Sequence, residues 1–196
     1  GIAFENTFVQ AELTMDEPTL DDTMPDTERL TRALQAQGYE TVKLRYPAVK
    51  KLAHTLREGN FHVFAAGLTE NGVLTVLDVT TDAQPMYGCA IDIGTTTVTG
   101  VLLDLKTGEI KAKASAGNGQ IRYGADVINR IVEQQKPGGV ARLQDAIIKE
   151  TLLPLIAVMC KSAGTAAGRI LRMSIASNTT MNHLLLGVDA NPVRME

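Results

Sequence analysis

Two cysteines are all that 196 residues contain, and Cys89 and Cys160 stand far apart with no second ligand beside either. That scarcity excludes a disulfide framework and makes a reducing cytoplasm the expected setting. It also excludes a 2Fe-2S cluster held by this chain, because such a cluster takes four cysteines at ferredoxin spacing. No basic block occurs: 19 Lys and Arg stand against 22 Asp and Glu, for a net charge of −3. Nucleic acid is therefore not an expected partner. No apolar run approaches the ~20 residues that cross a bilayer, and the first residues carry no secretory signal pattern, so no membrane contact is expected. What is present is an apolar fraction of 44%, enough for a core in one large domain or two small ones.

The chain opens on Gly1 rather than methionine, and the expectation is a piece of something longer. Residues 1–25 read as a linker or extended arm. Residues 2–13 alternate partly, as a short strand would, and 15–26 are acidic and contain Pro18 and Pro25, a composition that favours an extended, solvated connection. Residues 26–37 read as a helix with Asp26 as N-cap, Arg29 and Arg32 outward, Leu30, Ala33 and Leu34 inward, and Gly38 as stop. A short strand at 42–45 precedes a second helix at 47–58, with Pro47 in its first turn and Val49, Leu52, Ala53 and Leu56 inward. Two β-rich runs, 61–68 and 73–80, flank Thr69-Glu-Asn-Gly72, a hairpin signal. Residues 26–85 thus read as a small α+β domain. Its histidines, His54 and His62, have no ligand at metal-binding spacing.

The remainder is organised around residues 86–103. An apolar run at 89–93 is interrupted by Asp92, a polar turn follows at 94–97, and a second β-rich run occupies 98–103; a third strand is expected at 109–114. Strand, glycine turn, strand, with a carboxylate at the end of the first strand, has a chemical use. Gly94 permits consecutive N–H groups to converge on one anion, and Thr95, Thr96 and Thr97 add hydroxyl donors. Asp92 suits a Mg²⁺ ion, reached through water. Residue pattern alone leaves open a plain hairpin whose Asp and Thr side chains satisfy their own turn. Downstream, 115–123 read as irregular with Arg122 as the fixed positive charge. Residues 126–135 read as a helix with Val127, Ile128, Ile131 and Val132 on one face. An apolar stripe at 143, 147, 148, 152, 155, 156 and 159 marks a longer helical segment that Pro154 kinks or divides, with Met159 and Cys160 in its core. A strand at 170–175 delivers Ser177-Asn178-Thr179-Thr180 to a helix start at 181. That geometry suits anions, although an ordinary helix cap fits it equally.

Ile91-Asp92-Ile93-Gly94-Thr95-Thr96-Thr97 resembles the first phosphate motif of the actin, sugar-kinase and heat-shock ATPase (ASKHA) superfamily. Asn118-Gly-Gln-Ile-Arg-Tyr-Gly-Ala-Asp-Val-Ile-Asn-Arg-Ile131 and Ser177-Asn-Thr-Thr-Met-Asn-His-Leu-Leu-Leu-Gly187 resemble, more narrowly, the ATPase domain of reductive activators of corrinoid proteins. The resemblance spans nearly the whole chain and is strongest from residue 86 onward. It implies an α/β chain: linker at 1–25, middle α+β domain at 26–85, and at 86–196 the N-terminal lobe of an actin-like, ribonuclease H-like ATPase domain, truncated.

The resemblance also implies a function. The intact protein would use ATP and Mg²⁺ to return an inactive Co(II) corrinoid protein of a methyltransferase system to Co(I). The electron would come from a 2Fe-2S domain absent from these residues. Carried over by position, Asp92 is the catalytic and metal-holding carboxylate, Gly94, Thr95, Thr96 and Thr97 cradle phosphates, and Asn178 and Thr179 approach the phosphate region from the second motif. A homodimer is possible on the same ground, and the residues present are expected to be inactive by themselves. Two positions depart from the family pattern. Ser177 replaces a glycine, and Gly119 replaces a proline, which is expected to loosen its loop. Two other readings stay open: a small-molecule kinase of the same superfamily, and a non-enzymatic docking or dimerisation fragment.

Overall fold

The computed structural model describes residues 7–177, which divide into two compact units. The first runs to Met86 and takes in Leu105–Gly108; the second comprises Tyr87–Asp104 and the chain from Glu109 onward.

The first unit contains β1 (Phe8–Thr14), α1 (Asp26–Ala36), β2 (Thr41–Leu44), α2 (Tyr46–Glu58), β3 (His62–Glu70) and β4 (Val73–Thr80). Its sheet has the order β1-β3-β4-β2, with β2 parallel to β4 and the other pairs antiparallel. Leu13, Leu30, Leu34, Leu52, Leu56, Val63 and Val76 meet in its core. The β3–β4 hairpin turns through Asn71 and Gly72, both at positive φ, as the Asn-Gly signal requires.

Four sequence expectations need amendment here. The stretch read as a linker or extended arm, with strand-like alternation at 2–13, is not a free arm: it contains β1, which pairs with β3 from Phe8↔Leu68 to Thr14↔His62 and buries Ala11 and Leu13. Arg29, expected outward, is 6% exposed. Its guanidinium donates to both Asp22 carboxylate oxygens, at 2.8 and 3.0 Å, and to Asp16 O at 3.1 Å. The acidic run is thus tied to α1 by a bidentate pair. Pro25, not Asp26, caps α1; Asp26 instead accepts from Arg57. On α2, Val49 and Ala53 are exposed while Ala48 and Thr55 join Leu52 and Leu56 inside, so the buried face is rotated from the expected one.

The second unit contains β5 (Tyr87–Ile93), β6 (Thr97–Asp104), β7 (Ile110–Gly117), a 3-10 turn (Gly119–Tyr123), α3 (Val127–Gln135), α4 (Gly139–Ile147), a π-helical turn (Ile148–Leu152), α5 (Leu153–Ala163), a short 3-10 turn (Ala167–Arg169) and β8 (Ile170–Ala176). The sheet order is β7-β6-β5-β8, antiparallel except for β8, which lies parallel to β5. This mixed sheet is, over the described residues, a partial lobe of the actin-like type. The predicted stripe packs as expected: Leu143, Ile147, Leu152, Leu155, Ile156 and Met159 are buried with Cys89, Ile91, Ile93, Val98 and Leu102, while Ile148 is partly exposed. Pro154 marks the join of two helices. Proline lacks an N–H and crowds the carbonyl four residues back, and just before it the ladder widens: Leu153 N donates to Ile148 O, five residues earlier.

Helix α3 departs from its predicted face. Ile131 is buried, but Ile128 and Val132 are 53% and 47% exposed, while Arg130, Glu133 and Gln134 are buried. Polar bonds set this orientation. Glu133 accepts from Arg142 at 2.7 Å and pairs with Lys136 at 3.2 Å, and Arg130 is drawn inward by backbone carbonyls described below.

Candidate phosphate and metal site

Strand β5 runs apolar on the face that meets α5 and presents Asp92 on the other. Cys89, Ile91 and Ile93 share one face by the two-residue period of a strand and are buried; of the opposite face Gly88 and Ala90 are buried and Asp92, at the strand's end, is exposed. The Asp92 carboxylate has no partner among the described residues. Beyond Ile93 the chain reverses within four residues, closed by Gly94 N donating to Thr97 O at 2.9 Å. A Cβ on Gly94 would lie 2.7 Å from Thr97 O, so this reversal excludes any side chain there. Thr96 and Thr97 are exposed and Thr95 half-buried. The structure therefore brings Asp92, Gly94, Thr95, Thr96 and Thr97 together at one end of the sheet.

The turn's carbonyls are all engaged. Gly94 O accepts from Asn118 Nδ2 at 2.9 Å, Thr95 O from Arg130 Nη2 at 2.5 Å, Thr96 O from Asn118 N at 2.8 Å, and Thr97 O from Gly94 N. The N–H groups of Thr95 and Thr96 have no acceptor among the described residues. Unmatched donors beside an unpaired carboxylate fit an anion with a divalent cation. Mg²⁺ is held by one or two carboxylates together with the ligand's own oxygens, and no group of three or more metal-ligating side chains occurs among the described residues.

Asn118 and Arg130 were missed as site residues. Both are buried, at 1% and 0% exposure. Asn118 follows β7 and caps the 3-10 turn, its Oδ1 accepting from Gln120 N at 2.9 Å. Arg130 also donates from Nε to Gly124 O at 2.8 Å; burial lowers its pKa, against a small opposing contribution from Asp126. The available signals were a cap-forming Asn directly after a strand, and an arginine among the inward positions of α3.

The remaining expectations resolve as follows. Arg122 pairs with Glu150 at 2.5 Å and stacks on Tyr123 at 4.8 Å; the Glu150 bond raises its pKa. Asp126 is the N-cap of α3, accepting from Asn129 N at 2.8 Å. His54 and His62 pair with Glu58 and Glu12. Gly119 does not loosen its loop. Its N–H donates to Thr151 Oγ1 at 3.0 Å, and Thr151 Oγ1 donates in turn to Ala146 O at 2.7 Å. A proline could not make the first bond, and a Cβ at 119 would lie 2.7 Å from Ala146 O. Asn178 and Thr179 lie outside the described residues, as does His183. The chain enters that segment from β8, whose Ala176 is registered against Asp92.

Two family models match the chain: one described as the RACo linker region over residues 1–83, the other as the RACo middle region over residues 87–196. The second covers the segment read above as an ATPase lobe; the first takes in both the expected arm and the α+β domain. Among curated proteins, the corrinoid activation enzyme RamQ of Eubacterium limosum is 36% identical over 132 residues, 67% of this chain and 21% of that protein. Among solved structures, a reductive activator for corrinoid,iron-sulfur protein matches with a TM-score of 0.79 and 34% identity, covering 100% of this chain and 32% of that one. The chain thus spans about a fifth and about a third of the lengths of these two relatives.

Proposed function

The chain belongs to the RACo family, and from that premise we propose that it is part of an ATP-dependent reductive activator that returns a Co(II) corrinoid protein to Co(I). The partner is a corrinoid protein of a methyltransferase system, and the active form is proposed to be a homodimer. Cys89 and Cys160 are both buried in the second unit's core and do not fit a 2Fe-2S cluster, so the electron comes from a cluster domain outside these residues. Reduction to Co(I) is uphill at cellular potentials. Binding energy must then favour a reducible form of the partner over its resting form, and a nucleotide cycle supplies that difference only by binding the two states unequally.

Within this chain, the 94–97 turn takes the β- and γ-phosphates, with donors from the Thr95 and Thr96 N–H groups and the three threonine hydroxyls. Asp92 would hold Mg²⁺ through water, and the ion would supply positive charge against the phosphates. The observation that carries the reading is the coincidence of the family match with a turn whose carbonyls are all bonded while the Thr95 and Thr96 N–H groups and the adjacent Asp92 carboxylate have no partner among the described residues.

In the full-length protein, Asp92→Asn is expected to lower Mg-ATP hydrolysis about 100-fold or more, the scale of losing one electrostatic contact to a transition state, with an unchanged circular dichroism spectrum. Corrinoid reduction, followed by the Co(II) to Co(I) absorbance change, is expected to fall with it. Undiminished hydrolysis would reduce Asp92 to a turn residue.

A further inference from the structure

The carbonyl bonds at the turn decide where its N–H groups face. In a trans peptide the C=O and the N–H of the next residue point to opposite sides of one plane, and no cis peptide occurs among the described residues. Fixing Gly94 O therefore fixes the Thr95 N–H, and fixing Thr95 O fixes the Thr96 N–H. The first carbonyl is held by Asn118 Nδ2 and the second by Arg130 Nη2. Both holders are fully buried side chains from distant parts of the chain, so neither is a reorienting surface group. The guanidinium also bonds Gly124 O and thus bridges the end of the 3-10 turn to the phosphate turn. A planar fork suits two carbonyls at once; an ammonium, a compact point donor, does not.

We propose that Arg130 and Asn118 are positioning residues for phosphate binding, presetting the two N–H donors of the turn by holding the carbonyls of the same peptide planes. This rests on the reading that nucleotide phosphates occupy the turn. Neither side chain need touch the nucleotide.

The test compares equilibrium binding of Mg-ATP and of AMP, which lacks the β- and γ-phosphates, in the full-length protein. Arg130→Lys is expected to lower the ATP-over-AMP affinity ratio about tenfold or more, the size of a lost hydrogen bond to a charged group, at unchanged AMP affinity. Asn118→Ser keeps a capping oxygen for Gln120 N while removing the donor to Gly94 O; it is expected to lower the ratio likewise, and it carries the test alone if the Arg130 variant does not fold. A merely structural role would lower the melting temperature, or both affinities together, and leave the ratio unchanged. That unchanged ratio, alongside impaired hydrolysis in Asp92→Asn, overturns the positioning roles while the phosphate reading stands. Undiminished Mg-ATP hydrolysis in Asp92→Asn overturns that reading, and this inference with it.

Discussion

Cys89 and Cys160 sit in the second unit's core, and burial pushes the Cys89 thiol up to about 11, with the Cys160 thiol adding to the effect; burial raises Cys160 as well. The thiolate is the reactive species, and a thiol so shifted stays protonated at pH 8. Both cysteines of the native protein are expected to resist a disulfide reagent such as dithionitrobenzoate at pH 8, and both to react once guanidinium unfolds the chain. Labelling of the native protein at the rate of a free thiol would contradict their burial. The same scale explains the site: Asp92 is exposed because it lies off the core face at the end of β5, where the shielding that buries Gly88 and Ala90 on the same face stops, whereas Asn118 and Arg130 are buried because backbone carbonyls offer them bonds that water would otherwise supply.

Among the elements, α1 shows how a charged pair organises a segment with few apolar residues. The Arg29 bond holds the Asp22 carboxyl below the usual carboxylate range. A depressed folded-state pKa contributes stability at pH values above the unfolded value, and that contribution is lost as pH falls through the folded one. Asp22→Asn is therefore expected to lower the melting temperature at pH 7, and the difference from the unaltered protein is expected to shrink as pH falls below about 4, read by thermal denaturation across that range. A difference that grows on acidification would refute the pairing. Helix α3 makes the complementary point: its polar side is inside, bonded to Thr95 O, Gly124 O and Arg142, and two β-branched residues face outward. The π turn before α5 is a third case, in which Thr151 satisfies the Ala146 carbonyl and receives Gly119 N.

For the molecule as a whole, the turn proposed to take phosphate belongs to one partial lobe, and the proposed ATP site needs adenosine contacts and further phosphate donors from elsewhere in the intact protein. Asp92, Thr96 and Thr97 are exposed, and an exposed site gives its electrostatic groups little advantage over water. Residues 1–196 alone are accordingly expected to hydrolyse no ATP above background in a phosphate-release assay. Robust turnover by these residues would contradict the two-lobe account.

Periodicity and turn chemistry in the sequence already determined most of the elements: the Asn71-Gly72 hairpin, the β5–β6 reversal at Gly94, the stripe from Leu143 to Met159 and the break at Pro154. These rest on interactions between near neighbours, which a linear pattern carries. The candidate site was legible for the same reason, since Asp92, Gly94 and the three threonines lie within six consecutive residues. Tertiary structure alone decided what holds that motif. Asn118 and Arg130 reach it across 24 and 35 residues, and β1 finds β3 across a greater gap, from Phe8↔Leu68 to Thr14↔His62. An arginine placed opposite a carbonyl buries; the same arginine facing water does not, and no local pattern distinguishes the two.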